Sequence, residues 1–328
     1  MQTRTYGDLF KLIQSLAGVT TFATNEQDDI ANLINRRYQT AFNTSPIWPR
    51  YLVQSEERNI SAFKVSGYLD SLGYNGLFYK IGELSDGSPV YGKMGKTSAG
   101  NRADSQVYQY NSSAKTWSFS GIGWTKDLET GVITFGSGGV LNTQRDTSIA
   151  YDNPWDVVWT NLTDSQPQLE EVQAIPYDDI GEGYASGDPA INKTTIGEFI
   201  RIHRKDAFLN NSALEYDFYV NEDGAHILNI SNAGDTSVFV TYKKKFSPFT
   251  TSSDYTTSTE EVPGEFFQYI AYGTYADFLR MDGQHDKAQL ESENAELSLA
   301  QQLERVDAIM NNNTINKKFS TYVNRQSR

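Results

Sequence analysis

Cysteine is absent from all 328 residues. This absence excludes disulfide bonds, thiol nucleophiles and thiolate metal sites. Histidine is scarce as well, because His203, His226 and His285 are the only three and none lies at metal-ligand spacing from another. HExxH, GxSxG, P-loop and GxGxxG patterns are also missing from the sequence. We therefore expect no catalytic residue, no metal site and no cofactor, and we predict that the protein is not an enzyme.

Long apolar runs are lacking too. No stretch of sequence has the roughly 20 apolar residues that a membrane-spanning helix requires, and the first residues lack the apolar segment of a signal peptide. Positive charge is in short supply, since 28 Lys and Arg stand against 41 Asp and Glu, for a formal net charge of −13. Such a charge argues against a protein that grips nucleic acid by neutralising phosphates. We expect no membrane contact.

Two helices are predicted at the N-terminus. The first covers residues 5–17 and ends at Gly18, and its apolar side is formed by Leu9, Leu12, Ile13 and Leu16. The second covers residues 25–44, with Asn25 as its N-cap and an apolar stripe at helical spacing. A proline on either side of Trp48 then marks a turn. Strand-like patterns begin after this turn.

Residues 61–160 are rich in glycine, serine, asparagine and aromatic residues. Turn dipeptides between short β-prone stretches predict an inserted antiparallel module, similar to a sandwich or barrel, with strands near 77–81, 90–93, 107–110, 117–120, 132–135 and 157–159. The large aromatic side chains of this module, including Trp117, Trp124 and Tyr79, have two interpretations. They form either the core of a small β-fold or a face that stacks on sugars.

A second antiparallel β-region is predicted beyond residue 165, with strands near 173–176, 195–204, 216–220, 225–229 and 237–242 and a hairpin turn at 221–224. The polar segment 246–261 is long for a compact domain and predicts a contact arm or a mobile loop. The predicted fold class is α+β. Residues 1–60 and 165–310 form a helical bundle beside a small antiparallel β-domain, and residues 61–160 form an all-β insertion.

The last quarter of the chain predicts an αα-hairpin, with helices at 262–283 and 284–310 that meet at Gly283. The first helix is apolar nearly all round and must be covered on several sides. The second has one apolar stripe, with acidic and polar residues elsewhere: Ala288, Ser292, Ala295, Leu299, Leu303, Val306 and Met310. The surplus apolar surface of the first helix lies against either the chain's own core or another copy. Residues 311–328 predict a flexible basic tail.

The order of these parts resembles that of the head-to-tail adaptor, or connector, proteins of tailed bacteriophages. The resemblance covers residues 1–60 and 165–328. It rests on the Trp48-Pro49 segment and on four stretches: IPYDD at 175–179, IGEFIRIHRKD at 196–206, VFVTYKKKFSPFT at 238–250 and VPGEFFQYIAYGTYADFLRMDGQHDKA at 262–288. It implies a helical bundle beside a β-domain, in a ring of twelve copies under the portal. The insertion 61–160 lies outside the resemblance.

The resemblance implies a structural virion protein of the neck, assembled in the host cytoplasm. Its expected partners are further copies of itself in a dodecamer, the portal protein, a tail or nozzle protein below, and genomic DNA that passes without sequence-specific binding. The surplus aromatic surface then becomes a subunit interface formed by Phe266, Phe267, Tyr269, Tyr272 and Tyr275. The tail becomes a portal-binding segment that contains Lys317, Lys318, Phe319, Tyr322 and Arg325.

Two other functions compete with this interpretation. One is a carbohydrate-binding virion protein that acts in host attachment through residues 61–160, with Trp117, Trp124 and Tyr79 as its glycan face. The other is a polysaccharide-degrading enzyme, for which acidic residues between 130 and 190 would supply the acid and the base. Adjacent carboxylates in a strand point to opposite faces, so a pair such as Asp178 and Asp179 is poorly placed for that chemistry.

Overall fold

A computed structural model describes residues 4–67, 75–93, 107–111, 116–120, 124–126, 132–135, 140–145, 168–177, 196–206, 214–221, 224–228, 237–250 and 255–326. Within these ranges the chain forms four α-helices and sixteen β-strands, and the strands pair in antiparallel sheets. The predicted α+β class is confirmed. None of the helices in these ranges combines the length and the apolar character needed to cross a membrane.

The chain divides into two compact units. We call Met1–Leu52 with Phe246–Arg328 the helical unit, and Val53–Lys245 the β-unit. These limits differ from the predicted ones, which placed residues 165–245 with the helices and separated them from residues 61–160. The reason is backbone pairing across the predicted border, because Gln168–Gln173 pair in register with Ser66–Ser61 in one ladder.

The helical unit contains all four helices and one short strand pair. Its elements are β1 (Arg4–Thr5), α1 (Tyr6–Ala17), α2 (Thr24–Asn43), β16 (Glu261–Val262), α3 (Phe267–Met281) and α4 (His285–Gln326). Helix α1 begins in a capping box, in which the Thr5 hydroxyl accepts from the Asp8 N–H at 3.1 Å and the Asp8 carboxylate accepts from the Thr5 N–H at 3.2 Å. These two hydrogen bonds lower the pKa of Asp8.

The start of α2 differs from the prediction. Asn25 lies inside the helix, and Ala23 is the N-cap. The Ala23 N–H donates to the Glu26 carboxylate at 2.9 Å, so an acidic side chain in the first turn satisfies a backbone donor there. A capping carboxylate that reaches back from the third helical position replaces the side chain expected at Asn25.

Aromatic rings fill the core of the helical unit. Trp48 is fully buried, and its indole N–H donates to the Ala41 carbonyl at 3.0 Å. The segment predicted as a contact arm or mobile loop contributes Phe249 and Tyr255 to this core. The Asn35 amide holds the Phe249 backbone on both sides, because it accepts from the N–H at 2.8 Å and donates to the carbonyl at 3.2 Å. Phe249 and Tyr255 therefore anchor that segment to the core, whereas Ser247, Pro248 and Thr250 are exposed.

Helix α4 continues to Gln326, beyond the end predicted near Met310. The stretch predicted as a flexible tail is therefore helical as far as Gln326. The physical reason lies in the sequence, since neither glycine nor proline occurs after Gly283 to terminate the helix.

The β-unit contains the other fourteen strands of the described residues. They are β2 (Leu52–Asn59), β3 (Ser61–Ser66), β4 (Gly76–Glu83), β5 (Pro89–Lys93), β6 (Val107–Asn111), β7 (Thr116–Ser120), β8 (Trp124–Lys126), β9 (Ile133–Phe135), β10 (Val140–Arg145), β11 (Gln168–Pro176), β12 (Ile196–His203), β13 (Phe218–Val220), β14 (Gly224–Ile227) and β15 (Ser237–Lys244). Most of these strands match predicted ones, and the stretch 157–159 lies outside the described residues.

Nine strands form one sheet in the order β10-β7-β6-β5-β4-β3-β11-β14-β13, and β12-β15-β2 form a second sheet. The larger sheet buries side chains on alternating positions of its strands. Ala62 and Tyr79 belong to one apolar cluster, and Phe63, Phe78 and Trp117 belong to another. Because successive side chains of a strand point to opposite faces, the sheet has buried apolar clusters on both faces.

The predicted hairpin turn is confirmed, since Val220 of β13 pairs with Ala225 of β14. Gly224 adopts a φ of +144° there. A Cβ at this position would lie only 2.1 Å from the carbonyl oxygen of Ile175. Close approach of backbone to backbone therefore requires glycine at the start of β14.

We predict that Gly224→Ala lowers the free energy of unfolding of the β-unit by roughly 1–3 kcal/mol. Urea unfolding of the full chain measures this loss. Gly87→Ala is the matched control, because Gly87 also has a positive φ of 82° but has no atom within 4 Å of an added Cβ. If both variants lose the same stability, the contact with Ile175 contributes nothing beyond the backbone preference.

Candidate interaction surface on the C-terminal helical hairpin

Helices α3 and α4 form the predicted αα-hairpin. The turn is closed by Gly283 in the left-handed region, at a φ of +78°. The Gln284 N–H donates to the Leu279 carbonyl at 2.9 Å, so the last turn of α3 is satisfied before α4 begins. The two helices are therefore held antiparallel from their junction.

The aromatic residues at the start of α3 are buried within this chain. Phe266, Phe267 and Tyr269 are at most 3% exposed. The Phe266 ring meets Trp48 edge-on, with centroids 4.8 Å apart, and stacks on Tyr51 at 6.0 Å. Phe266 and Tyr269 offer no surface to a neighbouring copy, and Phe267 keeps only the 3% that lines a cavity beside Arg4. Their assignment as the main subunit interface is therefore corrected. The rings that cover Phe266 come from segments far away in sequence.

Tyr272 and Tyr275 complete the predicted interface, and both are half-buried. Tyr272 packs against the edge of the helical core. The aromatic part of α3 is thus mainly a core element, and only these two rings keep some exposed area.

A partly buried ion pair joins α2 to α3. The Arg37 guanidinium donates twice to the Asp277 carboxylate, at 2.7 and 2.6 Å, and each side chain is 13% exposed. Asp277 also accepts from Arg280 at 2.7 Å, and Glu296 of α4 lies 3.9 Å from Arg37. Three helices therefore share one network of charges.

The surroundings of Arg37 are shaped for its side chain. Gly273 lies beneath it, and an added Cβ there would come within 3.0 Å of the Arg37 Cδ. Burial alone would lower the pKa of Arg37, but its hydrogen bonds to Asp277 raise that pKa above the ordinary value. Burial also raises the pKa of Tyr269, and the nearby Arg37 opposes part of that shift. The network of charges links α2, α3 and α4.

Helix α4 is apolar on two opposite faces. Ala295 and Leu299 are buried against the rest of the helical unit. Leu290 and Leu297 are 63% and 62% exposed. Because an α-helix turns about 100° per residue, Leu297 projects nearly opposite to Leu299, and Leu290 lies two turns earlier on the same side. We call Leu290 and Leu297 the leucine face.

The two flanks of α4 differ in charge. Counted from buried Leu299 at about 100° per residue, Gln302 and Arg305 fall on one flank, and Glu296 and Glu293 fall on the other. A cavity on the first flank, which we call the arginine cleft, is lined by Arg4, Glu265, Phe267, Gln268, Gln302 and Arg305. A cavity on the second, which we call the acidic flank, is lined by Arg280, Gln289, Glu293, Glu296, Leu297 and Ala300.

The residues predicted to bind the portal lie in the last turns of α4. They are Lys317, Lys318, Phe319, Tyr322 and Arg325. The structure places them on a helix, whereas the sequence predicted an irregular tail. Their side chains lie outside the described part of the structure.

The predicted glycan face does not form a surface. Trp117 is 1% exposed and Tyr79 is 5% exposed, and they belong to two different apolar clusters of the β-unit. Trp124 begins β8, and its side chain lies outside the described part. Two of the three rings are therefore core residues, which agrees with the core interpretation of these aromatic residues.

The histidines take separate positions. His226 is buried in β14, where its Nε2 lies 3.0 Å from the Asn221 amide nitrogen, and His203 ends β12. Among the described residues, no group of three or more histidine, aspartate or glutamate side chains is placed to hold a metal ion. Asp178 and Asp179, considered above for acid–base chemistry, lie outside those residues.

Comparison with protein-family models, with curated proteins and with solved structures found no match.

The leucine face was missed at the level of sequence. The signal was present, because Leu290 and Leu297 are seven positions apart and fall off the stripe that contains Ala295 and Leu299. A helix with two apolar stripes needs two covering surfaces. The sequence-based prediction gave α4 a single apolar stripe.

Proposed function

We propose that this chain is a structural virion protein that joins the portal to the tail as a ring-shaped adaptor. The observation that carries the proposal is the leucine face of α4, an apolar surface that the chain's own described residues leave exposed. Single exposed leucines are ordinary on protein surfaces. Two on one side of a rigid helix give a small apolar contact that a ring of subunits would bury. A ring of identical subunits supplies such a contact for every copy.

The arrangement of the chain supports the same proposal. The N-terminal and C-terminal segments join in one helical unit, and the β-unit is inserted between them. This order is the one on which the resemblance to phage adaptors rests. The formal net charge of −13 suits a conduit, because acidic walls repel DNA and let it pass without sticking. In this proposal the portal protein lies above the ring, a tail or nozzle protein lies below it, and both contact it in the virion neck.

Reconstitution with the portal tests the proposal. The full chain is mixed with the purified portal protein of its own phage, and mass photometry and negative-stain imaging follow the complex. We expect ring-shaped density on one end of the portal and a mass increase that corresponds to a whole ring of subunits. A chain that leaves the mass of the portal unchanged at every concentration would contradict the adaptor function.

We predict that the double variant Leu290→Gln with Leu297→Gln folds normally but fails to assemble. Both side chains are more than half exposed, so their loss removes little burial within the monomer. Circular dichroism should show unchanged thermal unfolding, and mass photometry should show the portal without a ring. Val19→Gln is the matched control, because Val19 is an exposed apolar residue of the same unit, 38% exposed, away from α4.

A further inference from the structure

We propose that the helical unit binds a second copy of this chain head to tail, with the arginine cleft of one copy receiving the acidic flank of the next. The inference rests on the proposed ring function and names the surfaces through which the ring closes. Both surfaces belong to the helical unit and lie on opposite flanks of α4. Each copy therefore carries one surface of each kind.

The arginine cleft contains two guanidinium groups, those of Arg4 and Arg305. Arg4 and Arg305 are exposed, and among the described residues no carboxylate lies within ion-pair distance of either guanidinium. The Arg4 guanidinium lies over the Phe267 ring, 4.4 Å from its centroid, which fixes the charge against an apolar floor. In a chain of net charge −13, two such guanidinium groups at one cavity favour an acidic partner.

The acidic flank has the matching chemistry. Glu293 is exposed, and within the described part of the chain it forms no ion pair. Glu296 is 62% exposed, and the one cation that lines this flank, Arg280, is already paired with Asp277 at 2.7 Å. Leu297 adds apolar surface beside these carboxylates. A carboxylate pair next to a leucine therefore faces outward on this side of α4.

The charges of the two surfaces favour a head-to-tail contact over a two-fold contact. A two-fold contact through the arginine cleft would bring two guanidinium groups of each copy together, with Glu265 as the single carboxylate of the lining. One through the acidic flank would bring carboxylates together, because Arg280 is already paired with Asp277. Like charges placed together across an interface are costly. A head-to-tail contact pairs opposite charges and leaves one free surface at each end of a chain of subunits. Such a contact propagates, and it forms a ring when its rotation closes.

Cysteine cross-linking tests the contact on the full chain, which has no native cysteine. Gln302→Cys in the arginine cleft and Gln289→Cys on the acidic flank are made singly and together. These positions leave the charges of both surfaces in place, and a short bismaleimide joins thiols that come close. We expect the mixture of the two single variants to give a covalent dimer. We expect the double variant to give a ladder of dimers, trimers and larger species on a denaturing gel. Each single variant alone should give no covalent product and run as a single chain on the denaturing gel.

Lys11→Cys with Gln289→Cys is the control pair, because Lys11 is exposed on α1 of the same unit and lines neither surface. Three results would overturn the proposal. The single variants dimerise alone, which indicates a two-fold contact. The control pair cross-links as well as the test pair, which indicates random encounters. In the third result, the test pair gives no cross-linked product at the highest soluble concentration and none when the portal is present.

Charge reversal provides a second measurement. With every other charge of the chain kept, Arg305→Glu alone should weaken self-association by about tenfold or more. Glu293→Arg alone should weaken it by a similar factor. The two reversals together should restore most of the lost association, which a purely structural role for either residue would not produce. Failure of this rescue counts against the pairing.

The outcomes also separate this inference from the proposed function. Rings that form on the portal without the cross-linked ladder would leave the adaptor function standing and remove the head-to-tail pairing through these flanks. A ladder from a chain that never binds the portal would do the reverse, since self-association through α4 would be shown and the adaptor function would fall.

Discussion

Phe266→Ala is expected to destabilise the helical unit by roughly 3–5 kcal/mol, the usual cost of removing a large buried aromatic side chain. The ring is completely buried, and it contacts Trp48 and Tyr51. Tyr38 adds a third contact, with centroids 6.2 Å apart. Loss of the Phe266 ring leaves a cavity, and the rigid rings around it cannot move in to fill that cavity. Thermal unfolding and urea titration of the full chain measure the loss.

Tyr275→Ala serves as the control for that experiment. Tyr275 is on the same helix but only half-buried, so its truncation should cost clearly less than that of Phe266. The sequence-based hypothesis makes the opposite prediction, because an aromatic interface residue should affect assembly and spare the monomer. A Phe266→Ala chain that unfolds like the native protein but no longer self-associates would restore α3 as an interface.

Local patterns predicted the elements well. Helix α1 ends at Gly18 as expected, because a glycine in the left-handed region is a local signal. The turn at Gly283 and the hairpin before Gly224 follow from the same kind of information. Each of these features depends on a few neighbouring residues, so a single sequence contains what is needed to find them.

Features that depend on distant residues were harder to predict. Whether Phe266 faces a partner or the core is decided by Trp48, more than two hundred positions earlier in the chain. The division into units depends on the pairing of β3 with β11, and a strand pattern does not specify its partner. The pattern of α3 indicated a helix covered on several sides, but it carried no information about which surface covers it.

The charge network of α2, α3 and α4 shows the same limit. Arg37 falls at the margin of the apolar stripe of α2, where an arginine is commonly solvated. In the structure it is partly buried and bonded to Asp277, which lies 240 positions away. No local rule connects two residues at that separation, so the sequence does not predict this ion pair.

Asp277→Asn is expected to cost roughly 1–3 kcal/mol of unfolding free energy, because it leaves the partly buried Arg37 charge without its bidentate partner. The substitution keeps the shape of the side chain, so the loss reports charge and not packing. Glu296→Gln is the matched control. Glu296 is 62% exposed and 3.9 Å from Arg37, and an exposed pair of this kind contributes about 0–1 kcal/mol.

A double replacement shows whether the ion pair itself stabilises the fold, or whether the single variant is unstable only because Arg37 is left without a partner. Arg37→Met with Asp277→Leu removes both charges and keeps apolar volume at the junction of α2 and α3. Buried ion pairs replaced in this way are often neutral or more stable. We therefore expect the double variant to unfold at a higher urea concentration than Asp277→Asn. If it is as unstable as the single variant, the guanidinium is needed for more than its pairing with Asp277, and its contact with Glu296 must hold α4 in place. In that case the same double variant should also lose the cross-linked ladder, because the flanks of α4 would no longer be presented in register.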